Sequence, residues 1–182
     1  MSRKVLIVTG DGGDSYQALY ACHRFLESHW EPVVAAPARR RLHMVVHDTE
    51  PGWETYTERT GHSVEADMAI AAVAAREFAA IFIVGGRAPE YLRNEASLIS
   101  LVREFAAQDK CICAIGHGIH ILAAAGLLKG RTATCQPHLR MDVERAGGVY
   151  ANKPVVRDQK LITAQSLTAH PEFYREIFGC LG

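Results

Sequence analysis

This sequence has no charge of either sign to spare, because its 20 basic and 20 acidic residues cancel. Without a bulk field, nucleic acid and anionic membrane surfaces are excluded as electrostatic partners. It also lacks any apolar run near the length a bilayer requires. The short run that follows Arg3-Lys4 stops at Gly10, too soon for a signal-peptide core. Cysteine is sparse: there are 5 in all, an odd number, with Cys111 and Cys113 two apart in one run. That pattern suits reduced thiols in a cytoplasm rather than a disulfide framework. Repeats, low-complexity tracts and linkers are missing too, so residues 1–182 are expected to form one soluble, cytoplasmic domain with a single core. The glycine-rich stretch Gly10-Asp11-Gly12-Gly13-Asp14-Ser15 lacks the Gly-x-Gly-x-x-Gly spacing of a dinucleotide site, and no cofactor is expected.

What the sequence does have is a series of short apolar runs that end in glycine. The run from Lys4 to Thr9 stops at Gly10, that from Ala80 to Val84 at Gly85-Gly86, and that from Cys111 to Ile115 at Gly116, while Pro32 to Ala36 adds another. Runs apolar on both faces and separated by helical stretches argue for an α/β protein whose parallel sheet is covered by helices. Ligands in such sheets bind beyond the carboxyl ends of the strands, so the loops after Thr9, Val84 and Ile115 should share one rim. Asp14 or Ser15 is placed to cap a helix reaching about Ser28. The stretch from His43 to Tyr56, with Pro51-Gly52 inside it, reads as a hairpin-like excursion. After Gly130 come a short strand, a helix ending near Gly147-Gly148, strands around Val155 and from Leu161 to Ala164, and a last helix after His170-Pro171.

The densest signal runs from Cys111 to His120. A strand turns abruptly into a helix there, with the small residues Ala114 and Gly118 two places either side of position 116. That is the steric pattern of a nucleophile elbow, whose apex residue is held in a strained backbone and carries Ser or Cys. Here the apex is Gly116. Glycine at this place relieves the backbone, or leaves room for a water or a substrate atom, or marks a thiol enzyme altered at one position. Cys113 faces the core and cannot stand in. His117 is either a proton carrier near neutrality or a packing residue at a helix start. His120 lies one turn further on, but no third ligand is evident, and no metal is expected. Asp14 is a site carboxylate or a helix cap. Arg87 pairs with rim carboxylates or with a substrate anion. His47, Asp48, Tyr56 and His62 build either a subunit interface or a pocket, and Gln136 and His138 follow a strand end where they can touch a ligand.

Several motifs converge on one family. Gly85-Gly86-Arg87-Ala88-Pro89-Glu90-Tyr91-Leu92, the elbow Ala114-Ile115-Gly116-His117-Gly118, the stretch from Leu122 to Arg131 and His170-Pro171-Glu172-Phe173 resemble the ThiJ/PfpI (DJ-1) superfamily over essentially the whole chain. His47-Asp48, Thr55-Tyr56 and Gly61-His62 are most similar to its PfpI-like and plant-type glyoxalase III branch. The resemblance implies a flavodoxin-like three-layer sandwich with a mostly parallel central sheet, class I glutamine amidotransferase-like, assembled as dimers or hexamers. It implies a Cys at the place of Gly116 and a Glu at that of Asp14, although the related isocyanide hydratases use Asp. It also implies that His117 is the histidine following the nucleophile, that Glu90 reaches it from a neighbouring subunit, and that the N–H groups of Gly86 and His117 form an oxyanion hole. Gln136 stands where the family has an aromatic residue, and Leu167 holds the bulky position before the last helix. The lost thiol, the shortened carboxylate and the altered wall weigh against protease, deglycase and thiol-dependent glyoxalase activities.

The expected protein is therefore a small-molecule enzyme of hydratase, dehydratase or isomerase type. It would act on a polar or carbonyl-like metabolite by non-covalent acid–base chemistry. Asp14 would be the general acid/base and His117 the second proton carrier, oriented by Glu90 as in a triad. The N–H groups of Gly86 and His117, beside Gly116, would stabilise negative charge, and Arg87, Gln136, His138 and Leu167 would line the substrate pocket. The expected partners are a small-molecule substrate and further copies of the chain. Two other readings stay open: an inactive Cys-to-Gly variant of a glyoxalase III or isocyanide hydratase-like enzyme, and a non-catalytic ligand-binding or chaperone-like relative.

Overall fold

In the computed structural model, which describes residues 3–182, the glycine-terminated apolar runs become the centre of one sheet. The first two residues of the expected domain lie outside that range. Strands β1 (Lys4–Val8), β2 (Glu31–Ala36), β3 (Met68–Ala69), β4 (Ala80–Ile83), β5 (Cys111–Ile115), β6 (Val155–Asp158) and β7 (Leu161–Ala164) line up in the order β6-β7-β5-β4-β1-β2-β3. Every neighbouring pair is parallel except β6 with β7 at one edge. The order β2-β1-β4-β5-β7 within it is the flavodoxin-like arrangement, and the direction of travel reverses between β1 and β4, where a crevice opens at the carboxyl ends.

Alternation along the strands divides the core into two layers. Leu6, Val8, Ile81, Ile83, Ile112 and Ala114 point to one side and meet α2 (Ala88–Leu92), α3 (Ala96–Ala107), α4 (Ile119–Ala124) and α5 (Arg140–Arg145). Val5, Ile7, Phe82, Cys113 and Ile162 point to the other, against α1 (Ser15–Glu27) and α6 (His170–Leu181). The Sγ atoms of Cys111 and Cys113 lie 3.5 Å apart on one side of β5. Each helix presents an apolar stripe at helical spacing, such as Leu98, Leu101, Val102 and Phe105 on α3. Asp14 caps α1 by accepting the Gln17 N–H at 3.0 Å, and Pro171 opens α6, where its missing N–H costs nothing. Phe25, Phe82, Phe173 and Tyr174 are fully buried where α1, α6 and the sheet meet. Each contributes about 2–3 kcal/mol by leaving water. No helix among the described residues is long and apolar enough to cross a membrane.

The same layer buries a group with nothing to bond to. His170, the first residue of α6, stacks on Tyr16 and Tyr20 at centroid distances of 5.4 and 4.7 Å. Neither of its ring nitrogens has a hydrogen-bond partner. Burial pushes its pKa down to about 4, against an upward pull from Asp14.

The excursion after β2 is an antiparallel hairpin of Val45–Asp48 and Thr57–Thr60, with His47 directly opposite Glu58. It ends four residues beyond the expected Tyr56, because Thr57-Glu58-Arg59-Thr60 supplies the returning strand. Its base is sewn to the loop after β1: the Val45 N–H donates to the Gly13 carbonyl at 2.9 Å, and the Gly12 N–H to the His43 carbonyl at 2.8 Å. The hairpin is thereby folded over the rim at which β1, β4 and β5 end.

Candidate active site

The elbow has the expected shape. β5 runs into Gly116 at φ +55°, a 3-10 turn covers Gly116–Gly118, and α4 follows. A Cβ on Gly118 would sit 2.9 Å from the Ile83 carbonyl oxygen and 3.3 Å from the Ala114 Cβ, which is why only small residues flank the apex. At Gly116 itself an added Cβ would meet just one atom, the Gln165 carbonyl oxygen, at an ordinary 3.6 Å. The backbone favours glycine there, but the packing does not demand it.

The loops after β1 and β4 press against each other next to this apex. Gly86 has φ +78°, and a Cβ on it would lie 2.5 Å from the Asp14 nitrogen. The Asp14 N–H donates to the Gly85 carbonyl at 3.3 Å, and the Arg87 N–H to the Gly12 carbonyl at 2.7 Å. Buried Gln17 on α1 accepts the Gly85 N–H at 2.8 Å. Asp14, Gly86 and Gly116 consequently share one cavity of about 290 Å³, closed on its other sides by His47, Tyr56, His117, Gln136 and the segment from Gln165 to Thr168.

Two histidines face this cavity in different electrical settings. His47 Nδ1 lies 3.5 Å from Asp14 Oδ2, and His47 Nε2 lies 3.2 Å from Glu58 Oε2. Carboxylate oxygens only accept, so a ring protonated on both nitrogens suits the two partners together. Burial works against that charge, but the bonds to Asp14 and Glu58 outweigh it and raise the pKa. Arg87 in turn grips Glu58 through Nε at 2.7 Å and Nη2 at 2.9 Å, and with His47 it holds that carboxyl below its ordinary range. His117, by contrast, has its Nδ1 against the Gly86 carbonyl at 2.9 Å, which fixes the proton there. Its Nε2 faces Gln136 Oε1 at 3.0 Å and the Tyr56 hydroxyl at 3.4 Å. Burial lowers its pKa despite those partners, so the ring is neutral near pH 7. The Gln136 amide serves either protonation state by turning over, and the Tyr56 O–H can donate to the neutral ring.

Of the residues singled out in the sequence, Asp14, Gly86, Gly116, His117, Gln136 and Leu167 line this cavity. Arg87 and Glu90 line a neighbouring recess with Asp11 and Tyr91, and within one chain the carbonyl of Gly86, not Glu90, holds the His117 ring. His138 is exposed on a 3-10 turn and lines neither space. His62 borders a third recess beside Tyr16 and Tyr20. His120 is buried behind His117, with Nδ1 at 3.8 Å from Asp142. Among the described residues no three His, Cys, Asp or Glu side chains gather as a metal site. His47, Asp48 and Tyr56, which the sequence left between interface and pocket, belong to the cavity wall. Glu58 escaped notice altogether, and its only signal is a place opposite His47 once the hairpin register is known.

Comparison with known proteins fits this geometry. A family model described as the DJ-1/PfpI family matches residues 3–179. Protein DJ-1 homolog D of Arabidopsis thaliana is 31% identical over 188 residues, covering 100% of this chain and 48% of that one. The chain thus spans about half the length of this plant relative. Deglycase TK1284 of Thermococcus kodakarensis is 32% identical over 162 residues, 89% of either protein. A solved two-domain protein of Anabaena variabilis, with DJ-1/ThiJ/PfpI-like and ferritin-like domains, superposes with a TM-score of 0.85 at 26% identity, over 98% of this chain and 48% of that one.

Proposed function

Because the chain belongs to the DJ-1/PfpI family, we propose that it is an enzyme that moves protons on a small polar, carbonyl-like metabolite without forming a covalent thiol adduct. Relatives named as deglycases support an enzymatic role. One observation carries the chemistry: a buried carboxylate, Asp14, and a neutral imidazole, His117, open on one small cavity beside a residue that has no side chain. Asp14 acts as general acid or base and His117 as the second proton carrier. The N–H groups of Gly86 and His117 meet negative charge developing on the substrate oxygen, as an oxyanion hole does. Glu90 of a neighbouring copy completes the surroundings of His117. Hydration, dehydration or isomerisation suits these parts, whereas peptide hydrolysis lacks its nucleophile. The free cysteines suit a reducing cytoplasm.

A second reading has an observation of its own. The space above Gly116 is open to a side chain, so the site also fits a thiol enzyme that has lost its sulfur. Solvent-exchange measurements separate these cases. Dihydroxyacetone, hydroxyacetone and glyceraldehyde are incubated with the protein in D2O, and loss of the α-C–H signal is followed by proton NMR. The wild type should catalyse exchange, and Asp14→Asn should reduce it by about 10²–10⁴-fold, the usual worth of a general acid or base. A binding-only protein or a disabled thiol enzyme gives no exchange in either form. Full activity in Asp14→Asn sinks the mechanism.

A further inference from the structure

Asp14 is only 2% exposed at its side chain, yet a general acid or base must recover its starting protonation after every turnover. We propose that Asp14, His47 and Glu58 form a proton-handling triad in which His47 is the positioning residue that supplies and takes up the proton of Asp14. This rests on the acid–base reading of the cavity and extends it to the hairpin. One oxygen of Asp14, Oδ1, is committed to the Gln17 N–H, and the other, Oδ2, faces His47 Nδ1. On its far side the ring meets Glu58, and exposure climbs from 2% at Asp14 to 12% at His47 and 29% at Glu58. The ring therefore has one nitrogen at the inner carboxylate and one at the mouth. Register enforces the arrangement, because His47 and Glu58 are directly paired across the hairpin and Val45 is bridged to Asp14.

Protons are conserved over the cycle. One leaves the substrate carbon for Nε2 of His117, and one passes from His47 Nδ1 by way of Asp14 to the substrate oxygen. His47 is left neutral, with its Nε2–H on Glu58, and His117 is left charged. His117 then exchanges its extra proton with water in the cavity and returns one to a substrate carbon. The substrate oxygen gives its proton back by way of Asp14 to His47, which leaves both rings as they began. The two rings are set for these opposite parts by their surroundings: Asp14 and Glu58 favour the charged form of His47, while burial favours neutral His117. The other groups facing them are Tyr56, whose ring lies 4.3 Å from His47 and 5.7 Å from His117, Arg87 on Glu58, and Glu90 and His120 near His117.

The test is the pH profile of deuterium exchange into dihydroxyacetone, run from about pH 5 to pH 9 around the histidine range. Wild type should give a bell that rises as His117 becomes neutral and falls as His47 loses its proton. His47→Gln should lower exchange by about 10²-fold and abolish the alkaline fall. Glu58→Gln, a change nearer the surface, should move that fall to lower pH. If both variants merely scale the rate and leave the bell in place, His47 is structural and the triad is overturned. A second measurement needs no turnover: the ring carbon and nitrogen shifts of His47 should report a cation above the ordinary histidine range, lowered by both Asp14→Asn and Glu58→Gln. A ring that titrates normally and ignores both changes also overturns the triad. If the ring behaves as expected but the wild type exchanges nothing, the electrostatic coupling of His47 to Asp14 and Glu58 stands while the acid–base reading of the cavity, and with it the proton-handling role, falls.

Discussion

At the scale of the single residue, Gly116 decides what chemistry this site can perform. The sequence showed its place, because small residues at 114 and 118 and a strand-to-helix change mark an elbow without any structure. It did not show that the space above the apex is empty, since the neighbour there, the Gln165 carbonyl, comes from 49 positions further along the chain. That space makes a sharp prediction. Gly116→Cys should fold, because nothing in the packing opposes a side chain. Holding an L-residue at φ +55° should cost about 1–2 kcal/mol, or roughly 2–8 °C in Tm for a chain of this size. The introduced thiol, at the start of a helical turn beside His117 and open to the cavity, should be alkylated by iodoacetamide at neutral pH well before Cys22 or Cys135. Burial raises those two to about 11 and about 12 respectively. Peptide mapping by mass spectrometry reads the order, and an introduced thiol that stays inert in a folded variant removes the elbow reading.

At the scale of the element, legibility divides along sequence separation. The central strands, α1 with its Asp14 cap and the last helix were readable because apolar runs, glycine stops and cap residues are local signals. The role of the hairpin was not, because it depends on the contacts of Asp14 with His47 and of Tyr56 with His117, 33 and 61 positions apart. His138 shows the opposite failure: it sits close to Gln136 in sequence, but the turn Pro137–Leu139 points it to solvent. The packing of α6 on α1 yields its own prediction. His170 titrates near pH 4 in the folded protein and near its ordinary 6.5 when unfolded. The unfolded chain therefore binds the proton first, so stability should be full above about pH 6.5 and fall as pH drops toward 4, by about 3 kcal/mol in total. His170→Phe keeps the stacked ring and removes the titration. Urea melts across that range should show a shallower loss for the variant than for wild type, and parallel curves would mean the histidine is not neutral in the fold.

At the scale of the whole molecule, the order of the strands places the site. The sheet reverses direction between β1 and β4, and both loops that meet there, with the elbow after β5, were deducible once the sheet was read as parallel. A neighbouring copy leaves no local signal in one chain. Glu90 lies on the recess beside Arg87 and Tyr91, and Tyr91 leaves 40% of its surface in water. If that surface receives a second copy whose Glu90 approaches His117, sedimentation at micromolar concentration should show a dimer or larger assembly. Glu90→Gln should then weaken exchange activity without changing the fold. A monomer at that concentration removes Glu90 from the mechanism.

The elbow without sulfur has one more consequence, in the economy of the cell rather than in the geometry of the site. None of the free cysteines borders the cavity, and each is wholly or partly covered by protein. Peroxide silences thiolate enzymes by converting the exposed sulfur to sulfenic and then to irreversible acids, and electrophilic toxins do so by alkylating it. Neither finds a target at this rim. A catalyst built on carboxylate and imidazole would keep working through an oxidative burst that stops an enzyme dependent on a reactive thiol.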